Sequence, residues 1–160
     1  RERFMLSYLN RLPQCLETLP GALLPGVTEL LNELHRDDSV HLSLLTGNYA
    51  EGAWIKLRHF GIDHFFETGG FGDHHADRDD VARLAVDTVR EHLKYNFTDH
   101  TACVIGDTPA DIRCARAINA RAAAVATGMY SVSELQTHKP DHLFADLSDT
   151  KTVAQSLLQA

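Results

Sequence analysis

The stretch Val104-Ile105-Gly106-Asp107-Thr108-Pro109-Ala110-Asp111-Ile112 decides the reading of this chain. The apolar run Thr101–Ile105 stops at Gly106, so Asp107 stands at the tip of a predicted buried strand. Thr108 is a good helix N-cap, Pro109 suits the first helical position, and Ile112–Ile118 continues as a helix. A strand tip facing a helix N-terminus is where open α/β sheets bind ligands. Asp107 and Asp111 would repel each other there unless a cation sits between them, and oxygen-only ligands favour Mg²⁺. Thr108-x-x-Asp111 equally fits a capping box, which needs no metal. The stretch alone leaves both readings open.

Outward from this point, strand and helix patterns alternate. Arg1–Leu19 has a helical pattern with an expected break near Pro13, and Leu19–Gly26 is a punctuated loop. Val27–Arg36 places Val27, Leu30, Leu31 and Leu34 on one helical face. Val40–Leu45 is a near-continuous apolar strand, suited to a sheet covered on both faces. Tyr49–Phe60 is a predicted helix closed by Gly61, with Trp54, Leu57 and Phe60 spaced for core packing. A strand at Glu67–Phe71, a helix over Asp77–Lys94, strands at 121–126 and 142–145, and a helix at Thr150–Leu158 complete the series. The alternation predicts an α/β fold: a Rossmann-like parallel sheet with helices on both faces.

Composition narrows the function classes. The chain has 160 residues, 44% apolar and 23% charged, enough for one domain with a sizeable core. Net charge is −7 and no basic stripe appears, which argues against nucleic acid as a partner. A local positive pocket for a small phosphorylated substrate remains compatible with that charge. No run is long enough to span a bilayer and no signal-peptide pattern is seen. Cys15, Cys103 and Cys114 lack C-x-x-C spacing, and Cys103 falls in a strand and Cys114 in a helix, so buried thiols in a reducing, cytoplasmic setting are expected.

Two further strand ends carry chemistry. Thr46-Gly47-Asn48 offers a hydroxyl and free N–H groups for a phosphate cradle, or simply an N-cap with a glycine easing the turn. Asn48 either hydrogen-bonds substrate or closes the local turn. Arg78 opens a helix, where a cation is misplaced against the helix dipole. Such a residue suggests an anionic ligand, or a partner among Asp73, Asp77, Asp79 and Asp80. His74 and His75 fit a solvated loop better than a metal site, and Arg113 and Arg116 are expected on the exposed side of their helix.

With these residues in this order, the chain resembles the haloacid dehalogenase-like hydrolase superfamily, in particular its phosphoglycolate phosphatase-like group. Leu24-Pro25-Gly26-Val27 is similar to the passage from the family's helical cap into its core. Leu44-Leu45-Thr46-Gly47-Asn48 resembles its second motif, Arg78 falls at the basic residue of its third, and Gly106–Asp111 matches its fourth. The resemblance extends through Ala122–Val125 and Thr127-Gly128 to Tyr130-Ser131-x-x-Glu134-Leu135.

The resemblance implies Mg²⁺-dependent hydrolysis of a phosphomonoester, a small phosphorylated metabolite, through an aspartyl phosphate. Thr46 and Arg78 are the implied catalytic residues. Thr46, Gly47, Asn48 and Arg78 would bind substrate, and Asp107 and Asp111 the metal. Arg78 stands where the family usually has Lys, and it keeps the charge.

The family's nucleophile, the first Asp of a D-x-D motif after an apolar strand, has no counterpart. Asp77-Arg78-Asp79 has the spacing but follows a polar loop and opens a helix. The implied division is a cap-domain remnant over residues 1–19 and a core over 20–160 that lacks its first strand. That strand would run between those ending at Thr46 and Asp107, so its absence implies a gap in the sheet. The alternative is an inactive fragment or degenerate relative that binds only phosphate or a protein partner. A response-regulator-like phosphoacceptor needs a strand-end Asp with a later strand-end Lys, and the chain has no such set.

Overall fold

The computed structural model describes residues 2–74, 77–94 and 101–159. Helices and strands alternate as α1 (Glu2–Thr18), α2 (Val27–His35), β1 (Ser43–Thr46), α3 (Ala50–His59), a 3-10 turn at Asp63–Phe65, and β2 (Thr68–Phe71). Then follow α4 (Arg78–Leu93), β3 (Cys103–Gly106), α5 (Pro109–Ala117), β4 (Arg121–Val125), α6 (Val132–Thr137), β5 (His142–Phe144) and α7 (Thr150–Leu158).

All strand pairing is parallel. β4 lies between β3 and β5 in one sheet, and its alanines explain the layering. Successive side chains of a strand point to opposite faces. Ala123 therefore packs with Leu30 and Leu34 of α2 and Val153, Ala154 and Leu157 of α7. Ala122 and Ala124 pack on the other face with Ile112 and Ala115 of α5 and Leu135 of α6. The neighbouring strands alternate in step: Cys103 and Phe144 join the first core, Val104 and Leu143 the second.

β1 and β2 form a separate two-stranded sheet with Ser43 opposite Thr68 and Thr46 opposite Phe71. α4 covers it through Val81, Ala82, Ala85, Val86 and Val89, all buried. A side chain at Gly70 would stand 2.4 Å from the Val81 carbonyl oxygen, so α4 rests directly on the β2 backbone. α4 also packs on α5 and so joins the two sheets. Among the described residues, no strand lies between β1 and β3. Ile105 on β3 is 42% exposed, whereas Ala122–Val125 of β4 are buried.

Three local expectations are corrected. α1 runs unbroken through Pro13, because Leu9 and Leu12 are buried and the helix packs on α3. The proline removes one backbone hydrogen bond without ending the helix. The Val40–Leu45 strand is shorter at its start, since pairing with β2 begins at Ser43, and Val40 and Leu42 still fill the first core. Trp54, Leu57 and Phe60 are only partly buried, Trp54 lying 6.3 Å from the Phe71 ring between centroids. Cys103 and Cys114 fall in strand and helix as expected and all three cysteines are free, but of the expected buried thiols only Cys114 is buried: Cys103 is partly covered and Cys15 is exposed.

Candidate active site

The turn after β3 is built by its capping chemistry. Asp111 Oδ2 accepts from the Thr108 amide at 3.0 Å and from the Thr108 hydroxyl at 2.7 Å, and the Thr108 hydroxyl accepts from the Asp111 amide at 3.4 Å. The capping box is therefore formed. Asp111 is 8% exposed. A side chain at Gly106 would collide with the Asp111 carboxylate, 2.4 Å from its Cγ, which is why the strand must end in glycine.

Asp107 is not consumed in this way. Among the described residues its carboxylate has no hydrogen bond or ion pair. Its Oδ2 lies against the backbone of Gly128, where a Cβ would stand only 2.0 Å away. The glycine after β4 thus leaves room for a half-buried carboxylate, unpaired among the described residues, at the tip of β3.

Arg78 connects the third element. It is the first residue of α4, and Asp77 before it caps the helix by accepting from the Asp79 amide at 2.9 Å. The nearby acids were the expected alternative partners. Arg78 turns away from them and donates through Nη2 to Asp111 Oδ1 at 2.5 Å. Asp79 instead accepts from Arg113 Nε at 3.3 Å and from the Cys114 thiol at 3.7 Å. Arg113 and Arg116 are largely exposed as expected, yet each holds an acid, Arg116 pairing with Asp141 at 2.7 Å. Burial pushes the Cys114 thiol above its usual range, which disfavours a thiolate beside Arg78.

At the tip of β1 the simple N-cap reading of Thr46 is replaced. α3 begins at Ala50 after Tyr49, and the Ala50 amide is capped by Asp73 Oδ2 at 2.9 Å. The Thr46 hydroxyl accepts from the Asn48 amide at 3.1 Å and the Asn48 side chain at 2.7 Å. Asn48 Oδ1 in turn accepts from Lys56 Nζ at 2.8 Å. Lys56 is a cation the sequence did not flag, since it sits mid-helix with no motif around it. Gly72 donates its amide to the Asn48 carbonyl at 2.9 Å, and a Cβ there would lie 2.3 Å from the Gly47 carbonyl oxygen. The loops after β1 and β2 cross that closely.

The structure thus joins Arg78 to Asp111 directly and ties Thr46 to Asn48. Each group lies at the C-terminal end of a parallel strand or at the helix start beside it. Of the two loop histidines, His74 is described and exposed; His75 lies outside the described residues.

Residues 81–150 match the model of the HAD-hydrolase-like family. That stretch contains Asp107 and Asp111. None of the curated proteins matches the chain. Among solved structures, a haloacid dehalogenase-like hydrolase from Streptococcus pneumoniae is 24% identical with TM-score 0.71, covering 82% of this chain and 60% of its own. A predicted phosphoglycolate phosphatase from Haemophilus somnus is 21% identical with TM-score 0.74, covering 96% and 64%.

The fold is that of the haloacid dehalogenase-like hydrolases.

CbbY from Rhodobacter sphaeroides, whose structure contains phosphate, shares this haloacid dehalogenase-like fold at 19% identity and TM-score 0.75, covering 92% of this chain and 64% of its own. The chain spans about 60% of the length of such haloacid dehalogenase-like structures.

Proposed function

We propose that the complete protein is a phosphatase that hydrolyses a small phosphorylated metabolite, and that this chain supplies its phosphate- and metal-binding half. The observation carrying this reading is that, in the turn after β3, Asp107 keeps a carboxylate with no partner among the described residues while Asp111 of the same turn pairs with Arg78. In this reading residues 1–19 are the remnant of a helical cap and 20–160 the core. The nucleophilic aspartate would arrive on a strand seated between β1 and β3, and the separation of the two sheets supports that placement.

The donor set fits Mg²⁺. Asp107 offers carboxylate oxygen with no protein partner among the described residues, and Asp111 supplies a second carboxylate four residues on in the same turn. Hard oxygen donors suit this ion, and waters and substrate phosphate usually complete its shell. When bound, it would neutralise phosphate charge and so let an anionic nucleophile approach. Thr46, with Gly47 and Asn48, would hold phosphoryl oxygens by hydrogen bonds. Lys56 would fix the Asn48 amide so that this donor keeps one orientation. Arg78 would face the phosphoryl group with its planar guanidinium, which Asp111 holds in place.

Among the described residues no helix is long and apolar enough to cross a membrane. The three free cysteines support a reducing cytoplasmic setting. The deciding experiment compares this 160-residue chain with a version extended upstream, using an aryl phosphate and Mg²⁺. Turnover confined to the longer protein is the expected result. Robust turnover by the short chain, abolished by Asp79→Asn, would place the nucleophile in Asp77-Arg78-Asp79 instead.

A further inference from the structure

Three residues far apart in sequence meet at the opposite end of the smaller sheet. His41 lies two residues before β1, Glu67 immediately before β2, and His92 in the last turn of α4. The parallel register, Ser43 opposite Thr68, brings His41 and Glu67 to the same N-terminal end of the two strands. Thr46 stands at the other end of β1. Packing of α4 on β2 delivers His92 to the same place. His92 Nε2 lies 3.0 Å from Glu67 Oε2, and the His41 and His92 rings are 4.9 Å apart between centroids, tilted by 32°. The His41 ring is fixed from behind by a 2.8 Å hydrogen bond between its Nε2 and the hydroxyl of Thr68, which is 5% exposed. One ligand atom from each of the three side chains lies within 4.8 Å of the others.

We infer that His41, Glu67 and His92 form a binding site for a borderline transition-metal ion, Zn²⁺ in particular. Two imidazoles and one carboxylate are a donor set that suits zinc and does not suit Mg²⁺. Donors on one tetrahedral zinc stand about 3.4 Å apart. Glu67 and His92 are exposed, so small side-chain rotations close the remaining distance. Three protein ligands leave the fourth position to water or an added ligand. Thr68 plays the part of the outer partner that orients a ligating histidine. The His92–Glu67 pair alone would be satisfied without His41, but it gives no reason for a second imidazole held against the first. A bound ion would staple the starts of β1 and β2 to the end of α4.

The test is calorimetric titration of the 160-residue chain with ZnCl₂ in a non-chelating buffer with excess Mg²⁺ present. One zinc per chain is expected, together with a rise in Tm. His92→Ala and Glu67→Gln alter exposed side chains, so their metal-free melting curves should match wild type. Each should weaken zinc binding ~10-fold or more. His138→Ala, on a histidine outside the cluster, should bind as wild type does. Absence of one-to-one binding, or wild-type zinc affinity in either His92→Ala or Glu67→Gln, would overturn the assignment.

Discussion

Arg78 and Asp111, 33 residues apart in sequence, are joined by a 2.5 Å hydrogen bond from Nη2 to Oδ1 that ties the start of α4 to the first turn of α5. The bond answers the electrostatic misplacement of a cation at a helix N-terminus. It also gives the nearly buried Asp111 a countercharge.

Removing Arg78 should therefore do two things. Arg78→Ala should lower stability by about 1–2 kcal/mol, because among the described residues Asp111 keeps only Thr108 as a partner. It should also abolish the rise in Tm produced by phosphate or vanadate. Arg78→Lys should retain part of that rise. Equal shifts in wild type and Arg78→Ala would remove Arg78 from the phosphate site.

Asp107 and Gly128 make a matched pair of tests. Asp107→Asn should reduce kcat of the upstream-extended protein ~100-fold or more, about 3 kcal/mol of transition-state stabilisation, and weaken its Mg²⁺ binding. Gly128→Ala should give a similar loss of Mg²⁺ affinity, because a methyl 2.0 Å from Asp107 Oδ2 forces the carboxylate aside. Gly128 itself is not held in a left-handed conformation, so its substitution should leave the fold intact. Unchanged Mg²⁺ dependence in both variants would reduce the loop to its capping role.

Gly70→Ala should act on stability alone. The added methyl would meet the Val81 carbonyl at 2.4 Å and Ala85 Cβ at 2.8 Å, so α4 must lift from β2. Overpacking of this kind costs about 1–3 kcal/mol, read as a fall in the urea midpoint at unchanged slope.

Asp141 should make stability depend on acidity. Burial pushes its carboxyl up, but the Ala122 amide at 2.7 Å and Arg116 at 2.7 Å outweigh that, and the net direction is down. A group with a depressed folded pKa stabilises above its unfolded value, about 3.9, and loses that contribution as pH falls through the folded value. Asp141→Asn should therefore be less stable than wild type at pH 7 by about 1 kcal/mol. The difference should shrink as pH falls through the lowered folded value of Asp141. Urea midpoints of both proteins across that range check it.

What could be read from the sequence was local. The β3–α5 turn was legible because strand, glycine, cap and first-turn proline follow one another without a break. α7 was legible for the same reason, its apolar face and cap lying within Asp149–Leu158. Pro13 misled because burial of Leu9 and Leu12 against α3 overrides a local breaker, and such packing leaves no mark nearby. Arg78 stands out in the sequence as a cation at a helix N-terminus, but its partner is none of the adjacent acids. Nothing in the chain announces a bond across 33 residues. Lys56 and the His41–Glu67–His92 group were invisible for a like reason, since only the parallel register and the docking of α4 bring them to their places.

The separation of the two sheets bears on how the molecule comes apart. A two-stranded sheet of four-residue strands is marginal by itself. Its persistence depends on α4, whose contacts with α5 carry part of the connection to the larger sheet. The two sheets therefore meet through side-chain packing, α4 on α5 and Val40 and Leu42 in the first core, rather than through one continuous ladder. Amide exchange should divide along that line, with β4 protected up to the global unfolding free energy and β1 and β2 released in a smaller, earlier opening. Thr46 and Asn48 would leave with the weaker unit, while Asp107 stays behind with the stronger.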